Sequence, residues 1–129
     1  MAIPALARFA SDAFNRVLEL AANEEDAGKV ANALATLHKI VFFDVLPPED
    51  LSRVIQVAQA RLASTQVPMI WQAAVELAVA TRDPQLRSTV GGIASGAIQP
   101  AFSEREDLRL WVRSAAQRAL GCGHAGRLT

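Results

Sequence analysis

Tyrosine is missing from this chain, and cysteine occurs once, at Cys122. A lone thiol closes no internal disulfide, so the default compartment is a reducing cytoplasm. Without Tyr, and with only five Phe and two Trp, an aromatic-rich recognition surface is not expected. Histidine is scarce too: His38 and His124 are the only imidazoles, which leaves acid–base and metal chemistry few carriers. No sign of charge dominates. Thirteen Lys and Arg balance thirteen Asp and Glu, so no global field draws the chain to nucleic acid or to an anionic membrane. The start lacks the basic and apolar regions of a secretory leader, and the longest apolar stretch, Val67 to Ala80, is broken by Gln72 and Glu76 and is too short to span a bilayer. A soluble protein is expected.

What is present reads as one globular unit. The 129 residues are 51% hydrophobic and 20% charged, the composition of a folded domain large enough to bury about two thirds of its unfolded surface. We read residues 1–121 as a single helical domain and 122–129 as a flexible tail. The charge balance is global and not local: residues 1–50 carry four basic against eight acidic residues, leaving nine against five in the remainder.

Apolar residues recur at helical spacing and almost nowhere alternate, which predicts an all-α fold of about six helices. The first runs from about Pro4 to Ala22, with Leu6, Ala10, Phe14, Val17, Leu18 and Ala21 on one face. Asp26 can cap a second helix from Ala27 to about Val45. Pro47-Pro48 ends it and, with Glu49 and Asp50, opens a third helix whose stripe is Leu51, Val54, Ile55, Ala58 and Leu62. Ser64-Thr65 can cap a fourth, the most enclosed of the set. Asp83-Pro84 starts a fifth, with Leu86, Val90, Ile93 and Ala97 inward and Pro100 as its end. Ser103-Glu104-Arg105-Glu106 is a capping box for the sixth, and Gly121 is a suitable stop.

Every second helix start falls about 36–40 residues after the last, the period of a helical hairpin, and Trp71 and Trp111 are 40 apart. The run Leu77-Ala78-Val79-Ala80-Thr81-Arg82-Asp83-Pro84-Gln85-Leu86-Arg87 resembles the HEAT/armadillo class of helical repeats, whose first helix ends in an Asp-Pro turn and whose second opens on an apolar-Arg pair. Val112-Arg113 with Ala115-Ala116 and Ala119-Leu120-Gly121 resembles the second-helix signature, although here it lies inside a helix begun at Ser103. The resemblance covers mainly the C-terminal half. It implies stacked antiparallel hairpins, with Asp83, Pro84 and Arg87 as structural residues; a compact helical bundle explains the same periodicity.

Chemistry has little to work with. Cys122 and His124 supply at most two zinc ligands where a structural site wants four, and Ala35 stands where a carboxylate di-metal helix would place Glu before His38. Gly91-Gly92-Ile93-Ala94-Ser95-Gly96 lacks the preceding strand that a nucleophile elbow or phosphate loop requires. No enzyme, metal or cofactor is expected. Those glycines each cost a helix about 1 kcal/mol, so Gly92 and Gly96 are read as sitting beneath a neighbouring helix.

Two features remain as binding candidates. Arg105, Arg109 and Arg113 recur every four residues, a stripe that suits phosphates or an acidic partner but is also an ordinary solvated face. Ile40-Val41-Phe42-Phe43 with Val45-Leu46 is apolar on all sides. Either the second helix ends in the middle of the domain, which the run favours, or Phe42 and Phe43 form an exposed patch that docks a protein partner or a second copy. The function expected is a non-enzymatic protein–protein scaffold. A bundle holding a small apolar ligand is the alternative, and nucleic-acid binding through the Arg stripe comes third.

Overall fold

Six helices occur among the described residues: α1 Ile3–Asn23, α2 Ala27–Phe43, α3 Pro48–Ser64, α4 Pro68–Ala80, α5 Pro84–Ser95 and α6 Glu106–Leu128. This computed structural model describes the backbone of residues 3–64, 67–98 and 106–128, and the side chains of residues 12–63, 67–98 and 110–121. No strand occurs among the described residues.

Local chemistry fixes most of the helix starts. Asp26 sits in extended backbone ahead of α2 and its Oδ1 accepts from the Lys29 N–H at 3.1 Å. At α5 the Asp83 Oδ2 accepts from the Leu86 N–H at 2.9 Å, with Pro84 in the first turn, where its missing N–H costs nothing. α3 opens on Pro48, and Glu49 and Asp50 place negative charge at the positive end of its dipole. α4 departs from expectation. Its cap is Val67, which offers no side-chain acceptor, rather than the Ser64-Thr65 pair. Pro68 alone sets that boundary, and Ser64 closes α3 instead.

The fifth helix is shorter than the sequence reading. Gly96 adopts a left-handed φ of 84°, its N–H reaches the Ile93 carbonyl, and the Ile98 N–H donates back to the Gly92 carbonyl at 3.0 Å. The chain therefore turns away at Ser95, well before Pro100, and Ala97, assigned to the inward stripe, is exposed. Gly92 has a different purpose from close helix packing, whereas Gly96 does lie against α6, where a Cβ would come within 3.3 Å of the Arg113 guanidinium. A Cβ on Gly92 would lie 2.6 Å from Ile98 Cδ1, so Gly92 makes room for the helix's own return turn. Gly96 meets a φ that L-residues resist. We expect Gly96→Ala to destabilise the fold by about 1–2 kcal/mol in urea titrations, the cost of a left-handed Cβ; parent-like stability would show that the turn does not need glycine. At the other end α6 continues past Gly121, so that residue is not a stop.

Helices pair in order, α1 with α2, α3 with α4 and α5 with α6, and the second members α2, α4 and α6 pack side by side as one layer. α1 and α3 lie together behind it. The direction of stacking is set by two side chains. Arg53 lies 5.9 Å above the Phe14 ring, and Arg61, two turns further along α3, reaches the carbonyls of Ala21 and Glu24 at the end of α1. α3 thus runs parallel to α1, and the short connections make α4 parallel to α2. The α2–α3 and α4–α5 corners consequently share one end of the molecule.

α4 is the centre of the arrangement. Ile70, Trp71, Ala74, Val75, Leu77 and Ala78 are buried on it, and it packs against α2, α3, α5 and α6. Alanine makes that density attainable: Ala21, Ala33, Ala58, Ala74, Ala78 and Ala116 all lie in the core, and small side chains let helix axes approach toward the lower end of the usual 8–10 Å spacing. Around them Leu34, Leu37, Leu77, Leu86 and Ile93 are among the largest side chains of the described residues to be removed almost wholly from water.

Candidate interaction surface

The buried face of α2 is Val30, Ala33, Leu34 and Leu37. Extending that stripe by three and four residues reaches Ile40 and Val41, which are half-buried, and leaves Phe42 and Phe43 off it. Both phenylalanines point outward, 69% and 78% exposed, and Val45 beyond them is fully exposed. α2 therefore ends at the rim of the domain and not in its middle. The reason is the helix end: Asp44 leaves the helix in extended backbone, with its N–H still bonded to the Ile40 carbonyl. This turns Leu46 back onto the core while Val45 faces solvent. The two rings meet edge to face with centroids 5.0 Å apart, and the half-buried His38 ring lies 6.2 Å from Phe42. Exposed Asp44 and Glu49 flank this apolar corner. Asp50 is held in an ion pair with Arg53 at 3.6 Å.

The arginine stripe fares differently. Arg113 is exposed, yet its Nε donates to the Ala94 carbonyl at 3.1 Å, and Gln117 Nε2 donates to the same oxygen at 3.0 Å. That oxygen belongs to the last turn of α5, whose carbonyls have no helical partners and carry the negative end of the dipole. Arg113 thus joins α6 to α5. Arg105 and Ser103 lie outside the described residues, as do the side chains of Arg109 and Glu106, so the stripe's first two members and the capping box fall there too.

Asp83 and Pro84 form the start of α5, and Arg87 stands exposed in its first turn. Next to them Arg82 takes a left-handed φ of 61°, the one non-glycine residue with positive φ among those described. Thr81 steadies this corner: its Oγ1 donates to the Ala78 carbonyl at 2.7 Å and accepts from the Asp83 N–H at 3.3 Å.

Two features escaped the sequence reading. Arg61, placed on no stripe, closes the end of α1, and no signal within forty residues of sequence points to that contact. A groove of about 500 Å³ runs between α1 and α3, lined among others by Asn15, Leu18, Glu19, Arg53, Gln56 and Val57 and open to solvent. Among the described residues, no three or more His, Cys, Asp or Glu gather as a metal site, and no helix is long and apolar enough to cross a membrane. Comparisons with protein-family models, with curated proteins and with solved structures find no match to the chain.

Proposed function

We propose that the protein is a non-enzymatic interaction module, a stack of HEAT-like helical pairs that binds another protein. One observation carries this reading: two adjacent phenylalanines and a valine stand exposed at a corner of a helical scaffold whose core is complete without them. Exposed aromatic side chains are costly to leave in water and are the residue types that anchor protein contacts. The same corner carries Asp44 and Glu49, a polar rim of the kind that borders such anchors.

Phe42→Asp and Phe43→Asp test the reading together. Each is expected to abolish association while leaving the melting temperature within about a degree or two of the parent, since neither ring is in the core. Light scattering measures the first and calorimetry the second. Loss of many degrees in both variants would make the segment core and end the proposal; unchanged association would remove these residues from the contact.

A further inference from the structure

We infer that the occupant of this corner is a second copy of the chain, joined by a two-fold axis that sets the α2–α3 corner of one protomer against the α4–α5 corner of the other. The inference rests on the reading of Phe42 and Phe43 as a docking surface. It adds charge and geometry. The α2–α3 corner presents exposed Asp44 and Glu49 beside Phe42, Phe43 and Val45. The α4–α5 corner presents exposed Arg82 and Arg87, and neither arginine forms an ion pair with a described residue.

Both corners lie at the same end of the molecule, because α3 runs parallel to α1 and α4 returns alongside α2. A two-fold contact requires one patch to be complementary to itself, with each half meeting the other half of its mate. An acidic, aromatic corner next to a basic one meets that requirement, and a rotation between them pairs acid with base twice. Arginine adds a second complementarity, since its flat guanidinium stacks on aromatic faces as well as pairing with carboxylates. Lys39, one turn below Phe43, and the Asp50–Arg53 pair are the other charges near the aromatic corner, and Asp83, at the basic corner, is engaged by the Leu86 N–H.

The test is sedimentation equilibrium of the full chain at low and high salt, with two charge-reversed pairs: Asp44→Lys with Glu49→Lys, and Arg82→Glu with Arg87→Glu. The parent is expected to dimerise, more tightly at low salt. Each reversed pair alone sets like charges against like and should weaken dimerisation by about 30-fold or more. Mixed in equal amounts, the two variants restore opposite charges at both contacts, and a heterodimer should reappear. Val45→Asp, at a position fully exposed in the single chain, should weaken the dimer without touching the fold. A parent that is monomeric throughout, or reversed pairs that fail to rescue one another, overturns the two-fold contact. If that monomer still loses a protein partner on Phe43→Asp, the interaction reading stands and only the second copy is wrong. If a dimer forms and neither Phe43→Asp nor the reversals disturb it, this corner is not the interface and both fall.

Discussion

Trp71→Ala should cost about 3–5 kcal/mol, the largest single loss expected in the chain. The indole is 3% exposed in the first turns of α4, and α4 is packed on by four other helices, so filling the vacancy would require several elements to move at once. A core that cannot collapse keeps its cavity, and the cost then rises above the transfer term. Trp111 provides the control. It stands 40 residues later but is only half-buried against the core. Trp111→Ala should therefore cost clearly less. Urea titration followed by far-ultraviolet circular dichroism gives both values, and equal losses would contradict the central position of α4.

Removal of Arg61 should have the second-largest effect. Its guanidinium donates from Nε to the Ala21 carbonyl at 2.6 Å and from Nη2 to the Glu24 carbonyl at 3.0 Å. Those oxygens end α1, where helical partners are missing and the dipole is negative, so a cation there both fills orphan acceptors and offsets charge. The site is partly buried. Arg61→Ala is expected to lose about 2–3 kcal/mol, reduced from the full value of two charge-assisted bonds by water that can enter. Arg61→Lys should recover only part, because a single ammonium does not match a fork that spans two carbonyls. Arg53→Ala is the comparison: its solvent-exposed ion pair with Asp50 contributes at most about 1 kcal/mol, and its contact over the Phe14 ring about 0.5–1 kcal/mol more. Matching losses at Arg53 and Arg61 in thermal unfolding would mean that water replaces the guanidinium without penalty.

Which parts of this fold could be read from the residues follows from how far each determinant reaches. Asp26 and Asp83 bond to an N–H three residues on, and Pro48 and Pro84 act on their own turn, so the starts of α2, α3 and α5 were visible in the sequence. The cap of α4, not its start, was misread, because two good capping residues lie near Pro68, while the position that proline defines is occupied by Val67. Gly96 misled for another reason. Three glycines in one apolar segment look alike, and only backbone geometry separates the one that turns the chain from the one that yields to Ile98 and the one with open space around it. Non-local contacts left no trace at all. Arg61 finds its acceptors about forty residues back, and Arg113 looked like a member of a solvated stripe until the carbonyl of Ala94 was seen beside it. Phe42 and Phe43 were marked by composition, but their exposure depends on where α2 stops, a matter of one turn.

The clamp that Arg61 makes has a mechanical consequence. It locks the end of α1 to α3, while α2 and α4 are pressed together in the other layer, so the first two helical pairs are held at two separated places and resist rotation about either. Among the described residues the last pair has no clamp of that kind: α5 and α6 pack mainly on α4. Two rigid bodies joined along a single line can rock about it, and two joined along two lines cannot. The packing is accordingly tied at two separated places on its amino-terminal side and, among the described residues, at α4 on its carboxy-terminal side.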